Sequence, residues 1–226
     1  MKPILLSIAC VFLAVGLNVT RAEALVAEGN AIKQESPSST GGSSPPVTDD
    51  TKFKDDVKSN VAAPKGVKDL QFTNKDGKAV KLADYLGKKN VALVFTQGFN
   101  GMICPFCTTQ TSRLVANYEK FVQRNCEVIV VYPGPDDRVG DFVKAALKTE
   151  KEQVDNVPFP IVLDRDFQAT DYFNIHSTHA HPSTYLIDRN GGVQLAYVGA
   201  DNTADRPSIK ALLEKLDEIE KRLEGK

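Results

Sequence analysis

The sequence predicts an α/β protein, a three-layer α/β/α sandwich around a mixed central sheet. Three observations carry this. Two buried-strand runs, 91–95 and 127–132, flank one long helical pattern, the signature of parallel strands joined by a crossover. Strand and helix patterns keep alternating through residue 173. A late hairpin around Asp188-Arg189-Asn190-Gly191-Gly192 then adds an antiparallel edge.

Each element has its own signal. Leu70-Gln71-Phe72, Asn74-Lys75-Asp76-Gly77 and Ala79-Val80-Lys81-Leu82 read as strand, turn and strand, and 82–86 as one helical turn. Val91-Ala92-Leu93-Val94-Phe95 is apolar throughout, as a strand covered on both faces requires. A loop with Gly98 and Gly101 leads to a helix over 105–124, in which Leu114, Val115, Tyr118, Phe121 and Val122 recur at helical spacing. The strand 127–132 stops at Pro133-Gly134-Pro135. Val139, Phe142, Val143 and Ala146 mark the inner face of the next helix; 159–163 is a strand and 167–173 a short helix. The hairpin pairs 184–187 with 193–198, and the last helix follows Pro207, with Ile209, Leu212, Leu213, Leu216 and Ile219 facing in.

The 226 residues carry 28 Lys+Arg against 29 Asp+Glu, a net charge of −1, which gives no basic surplus for nucleic acid. At 42% hydrophobic the chain can build a core, and a mean hydropathy of −0.25 argues against a polytopic membrane protein. Met1-Lys2, the apolar run 4–17 and Ala22-x-Ala24 form the three parts of a secretory signal peptide over 1–24. Residues 25–63, with Ser36-Pro37-Ser38-Ser39-Thr40-Gly41-Gly42-Ser43-Ser44-Pro45-Pro46 inside them, read as a disordered tether. The folded domain is expected over 64–226 in an exported, periplasmic or extracellular protein, with the N-terminal segment bringing it near a membrane.

Four cysteines, Cys10, Cys104, Cys107 and Cys126, are too few to staple a chain of this length. Cys104-Pro105-Phe106-Cys107 follows a strand and opens a helix. Pro105 suits the first helical position, so Cys104 falls at the N-cap, facing free N–H groups and the positive end of the helix dipole. That setting favours the thiolate, the nucleophilic form. Cys107 sits one turn further in, close enough to close a disulfide with Cys104 after attack on a disulfide or peroxide. Two plainer readings compete. A structural disulfide would close a tiny loop and contribute little, and half a zinc site lacks a second Cys-x-x-Cys or Cys-x-x-His downstream.

Pro182, in His181-Pro182-Ser183-Thr184-Tyr185-Leu186-Ile187-Asp188, enters a strand where it cannot donate to the ladder. It is expected as a cis proline beside the site, leaving the preceding backbone free to pair with a substrate; the alternative is an ordinary strand-entry proline. His176, His179 and His181 lie together and read as a solvated loop or, with Cys104 and Cys107, as a copper site through His181. Cys126 reads as an inert core thiol or an alternative resolving cysteine. Arg113 is too far along its helix to reach Cys104, and Arg206 reads as a loop or cap residue.

The strand, the Cys-Pro-Phe-Cys motif and the helix resemble the thioredoxin-like superfamily. Val130-Val131-Tyr132-Pro133-Gly134-Pro135, Leu163-Asp164-Arg165-Asp166 and Pro182-Ser183-Thr184-Tyr185-Leu186-Ile187-Asp188-Arg189-Asn190-Gly191 extend the resemblance to its redoxin branch, the alkyl hydroperoxide reductase/thiol-specific antioxidant or peroxiredoxin-like proteins. It covers about residues 64–223. The resemblance implies a thioredoxin-like fold, thiol-disulfide oxidoreductase activity with peroxides as a further substrate, and Cys104 in the peroxidatic position. It calls for an external thiol reductant and a thiol, disulfide or peroxide partner, and for no cofactor or resident metal. The sequence departs from the Pro-x-x-x-Thr-x-x-Cys pattern of peroxiredoxins at Gln97 and Gly101, and has Pro182-Ser183 where a strand-borne arginine is usual. Three function classes follow: an exported thiol-disulfide oxidoreductase, a dedicated thiol peroxidase, and a copper chaperone.

Overall fold

The computed structural model describes residues 51–148, 156–200 and 203–225. The expected signal peptide over 1–24, Cys10 and the Ser/Pro/Gly-rich stretch lie outside the described residues. Among these residues no helix is long and apolar enough to cross a membrane.

Seven strands form one mixed sheet: β1 (Gln71–Asn74), β2 (Ala79–Lys81), β3 (Asn90–Phe95), β4 (Cys126–Pro133), β5 (Ile161–Asp164), β6 (Ser183–Ile187) and β7 (Val193–Val198), in the order β2-β1-β5-β4-β3-β6-β7. The centre is parallel, with Val94 opposite Val130 and Val131 opposite Val162. Both flanks are antiparallel, β6 on β3 and β1 on β5. The expected mixed sheet is therefore present. The hairpins come from Asn74-to-Gly77 and Asp188-to-Gly192 turns, where Asn74 Oδ1 and Asp188 Oδ1 accept backbone N–H groups.

Strand β3 is buried on both faces, and its alternation divides the core. Ala92 and Val94 pack with Val128 and Val130 beneath α1 (Pro105–Ala116), α2 (Tyr118–Val122), α3 (Val139–Lys148) and α5 (Ile209–Glu224). Val91, Leu93 and Phe95 pack on the opposite face with Ile129, Val131, Ala169 and Phe173, where α4 (Gln168–Tyr172) provides a thinner cover. The helix expected over 105–124 is interrupted at Asn117. Its side-chain amide donates to the Arg113 carbonyl at 2.9 Å, a local bond that competes with helix continuation.

Two expectations are corrected. No peptide bond among the described residues is cis, so Pro182 is trans. It instead extends the sheet edge, its carbonyl accepting the Gly199 N–H at 2.8 Å. And residues 51–63, assigned by composition to the tether, lie against the domain. Phe53 is buried under the guanidinium of Arg113, 4.7 Å from ring to Cζ. Ser59 and Asn60 line the free edge of β7: Asn60 N–H donates to the Ala196 carbonyl, Asn60 Oδ1 accepts from Val198 N–H, and Ser59 Oγ accepts from Ala196 N–H. This segment is held by hydrogen bonds and polar side chains more than by apolar burial, so a hydropathy reading passes over it.

Candidate redox site

The site sits where β3 ends and α1 begins. Gly98, at φ +76°, turns the chain out of β3 against the end of β4; a Cβ there would lie 2.3 Å from the Pro133 carbonyl oxygen. That close approach brings the Gln97 N–H to the Cys107 sulfur at 3.4 Å. Cys104 is the N-cap of α1, and its sulfur accepts the Cys107 N–H at 3.4 Å, with Pro105 at the first helical position as expected. Both cysteines are reduced, each is 1% exposed, and their thiols hydrogen-bond each other.

The residue that sequence reading set aside completes the site. Arg206 comes from the loop before α5, 102 residues from Cys104, and is 1% exposed. Its Nη2 lies 3.4 Å from the Cys107 sulfur and 3.7 Å from that of Cys104, and its guanidinium stands 5.7 Å from the Phe106 ring. Its Nη1 donates to the Thr203 carbonyl. No local spacing signals this contact, because Ala204-Asp205-Arg206-Pro207 looks like any polar loop before a helix. Two further donors, Arg206 Nε and Gln97 Nε2, are buried without a partner among the described residues. The surroundings of the sulfurs are therefore rich in N–H donors and biased toward negative charge.

The pair ionises as a unit. For Cys107 burial opposes ionisation, but the hydrogen bond from Cys104, the Arg206 charge and the Gln97 N–H outweigh it and lower the pKa to about 6. Cys104 is pushed up, first by its hydrogen bond to Cys107 and then by burial. The expectation placed the charge on Cys104. The structure gathers more donors around Cys107, so the proton stays on Cys104 and the charge goes to Cys107. Tyr132 of β4 is the other titratable group that senses Cys107; burial first of all raises its hydroxyl and keeps it neutral.

Pro182 is buried, but the polar contacts of the sulfurs are with Gln97, Arg206 and each other. It is linked to the site indirectly, through Gly199, which packs on the Asp205 carbonyl next to Arg206. The histidines have separate partners. His176 stacks on Phe167 at 4.4 Å and bonds Asp171 at 2.6 Å, His179 meets Asn100 at 3.2 Å, and the His181 N–H donates to the Ile175 carbonyl. A copper site is not supported: among the described residues no three His, Cys, Asp or Glu side chains are grouped to hold a metal, and the buried cation beside the sulfurs would repel one. Cys126 is fully buried at the start of β4 and its pKa is raised, above all by burial, as an inert thiol requires.

Known proteins share part of the sequence and the fold. The chain is 25% identical to peroxiredoxin Bcp of Bacillus subtilis (strain 168) over 132 residues, 54% of this chain and 76% of that one. It is 28% identical to the thiol-disulfide oxidoreductase ResA of Geobacillus thermodenitrificans (strain NG80-2) over 160 residues, 70% and 80% of the two chains. The mitochondrial 2-Cys peroxiredoxin of Plasmodium falciparum shares the fold at a TM-score of 0.56 and 22% identity, covering 69% of this chain and 92% of that one. Xanthomonas campestris peroxiredoxin Q does so at 0.53 and 17%, covering 71% and 98%. Residues 64–196, more than half of the chain, match the AhpC/TSA family. The chain belongs to that family, as a redoxin-type thiol oxidoreductase.

Proposed function

We propose that the protein is an exported thiol-disulfide oxidoreductase in which Cys104 and Cys107 carry the exchange. The observation behind it is the pair of reduced thiols at the start of α1, hydrogen-bonded to each other beside a buried guanidinium. Export rests on the Met1-Lys2, 4–17 and Ala22-x-Ala24 pattern, and the stretch that follows it would give the domain reach from a membrane.

The Cys104 proton passes to the Cys107 thiolate and frees the Cys104 thiolate. Cys104, at the N-cap, borders the loop 98–103, whereas Cys107 lies a turn inside the helix, so Cys104 is the attacking sulfur. Its lone pair forms a bond to one sulfur of a partner disulfide and expels the other as a thiolate. Cys107 then loses its proton, attacks Cys104, and expels the second partner thiolate. The partner gains two electrons and the pair becomes a Cys104–Cys107 disulfide, which an external thiol reopens. Pro182 is assigned a supporting part, holding the β6–β7 edge on which the Arg206 loop rests.

The test is direct. Cys104→Ser is expected to abolish disulfide reduction, and Cys107→Ser to trap a mixed disulfide with the partner. Full activity in Cys104→Ser would remove the reading. The likeness to peroxiredoxin Bcp favours peroxide as a second acceptor, with Gln97 and Gly101 replacing the family's Pro and Thr. A stopped-flow trace with peroxide is expected to show Cys104 oxidation faster than a free thiol; an equal rate would dismiss it.

A further inference from the structure

The family match spans residues 64–196. The cation at the sulfurs lies beyond it, and the segment that grips that cation lies before it. Lys54 N–H donates to the Arg206 carbonyl at 2.8 Å, and Ser208 N–H donates to the Lys54 carbonyl at 2.8 Å. The Lys54 ammonium pairs with Asp205 at 2.6 Å, and Ser208 Oγ donates to Asp55 at 2.5 Å. Segments from before and after the family match thus close on each other at the residue that faces the dithiol.

A guanidinium this deeply buried needs an anion, because burial of an uncompensated charge is strongly unfavourable. Among the described residues no carboxylate forms an ion pair with Arg206; its partners are the Thr203 carbonyl, the Phe106 ring and the two sulfurs. The sulfur pair is the group in this set that can supply a negative charge. It does so when reduced, and a disulfide does not.

We propose that Arg206, latched by the Lys54 segment, is the counter-ion of the dithiol and sets the direction of its electron exchange. This rests on the thiol-disulfide reading above and deepens it. Oxidation of the pair releases two electrons to the acceptor and the thiol proton to solvent, and among the described residues it leaves Arg206 buried without an anion. The reduced form is therefore favoured and the couple is raised toward the oxidising end. Its acceptors are correspondingly electrophilic: strained or regulatory disulfides and peroxides, and not the stable structural disulfides of folded proteins. Lys54 is a positioning residue that acts through Arg206. The charged and titratable groups facing the sulfurs are Arg206 from the loop before α5 and neutral Tyr132 from β4.

The test is a glutathione redox titration of the full chain, with thiolate absorbance and melting followed on the same samples. Arg206→Met is expected to shift the exchange constant about tenfold toward the disulfide, about 30 mV more reducing. Its thiolate inflection should move up by at least about one pH unit. Arg206→Lys is expected to restore most of both. Lys54→Pro, which removes the N–H that holds the Arg206 carbonyl, should shift both in the same direction by less. In the wild type the reduced protein should melt above the oxidised one, and Arg206→Met should erase that gap. A folded Arg206→Met that titrates like wild type overturns the proposal. So does a wild-type oxidised form as stable as the reduced one, which can be read even where the variant fails to fold. If no Cys104–Cys107 disulfide forms at any glutathione ratio, the dithiol reading fails instead, and the thiolate inflection in Arg206→Met alone decides the counter-ion role.

Discussion

Gly199→Ala tests the packing that delivers the cation. Gly199 lies between Pro182 and the Arg206 loop, and a Cβ there would stand 2.0 Å from the Asp205 carbonyl oxygen. Contacts under 3.0 Å are not tolerated, so the Asp205–Arg206 backbone must retreat by about 1 Å. Arg206 Nη2 starts at 3.4 Å from the Cys107 sulfur, so the retreat takes it past hydrogen-bond range. At an effective dielectric of about 20, a charge pair is worth about 4.9 kcal/mol at the first separation and about 3.8 kcal/mol at the second. The loss of about 1.1 kcal/mol corresponds to about 0.8 pKa units. The thiolate inflection, about 6 in the wild type, is thus expected near 7. The assay is ultraviolet thiolate absorbance of the reduced protein against pH, with Gly140→Ala as the control, since Gly140 in α3 has open space at its Cβ position. A folded Gly199→Ala whose inflection does not move would refute the link from this glycine through Arg206 to the sulfurs.

The remaining predictions concern the loop before α1 and the pH dependence of stability. Gly98→Ala combines a positive φ with a 2.3 Å overlap on the Pro133 carbonyl and is expected to cost about 1–3 kcal/mol, measured as a lower denaturant midpoint. An unchanged midpoint would show that the turn yields freely. The reduced protein should gain stability as pH rises from about 6 toward 9, because the folded pair has already lost one proton that the unfolded cysteines still hold. Above the ordinary cysteine range the sign reverses, since Cys104 keeps its proton when folded. Melting curves of reduced wild type against a Cys104→Ser/Cys107→Ser double variant isolate this, and parallel profiles would contradict it.

The fold was legible because its signals are local. Val91-to-Phe95 is apolar at every position since both faces of β3 are covered, and the Asp188-to-Gly192 turn follows from its own side chains. The Cys-Pro-Phe-Cys motif was legible for the same reason: N-cap, first-turn proline and one-turn spacing are all short-range. Arg206 was not, because its role depends on a contact across 102 residues and on the loop that carries it. The segment 51–63 escaped for a different reason. It adds one large buried side chain, Phe53, and otherwise attaches through hydrogen bonds and ion pairs of its main chain and polar side chains, which composition does not register. The trans geometry of Pro182 likewise follows from the sheet edge it joins and not from the dipeptide.

Access to the sulfurs is the remaining physical requirement. With each cysteine 1% exposed, no partner disulfide can approach either sulfur in line until something moves. The loop 98–103 is the element beside Cys104 with exposed residues, Asn100, Gly101 and Met102. Its ties include an isolated bridge between Phe99 and Ile103, the Phe99 ring against Arg138 at 5.2 Å, and the Asn100 amide against His179 at 3.2 Å. Asn100→Ala removes the last of these and leaves the sulfurs' own contacts intact. One hydrogen bond of about 0.5–1.5 kcal/mol sets the expected gain, a roughly 2- to 12-fold faster alkylation of Cys104 at fixed pH. The thiolate inflection should stay in place, because no donor to sulfur has been touched. A rate that is unchanged would mean that the loop is not what opens, and that the exchange step waits on displacement of α1 itself.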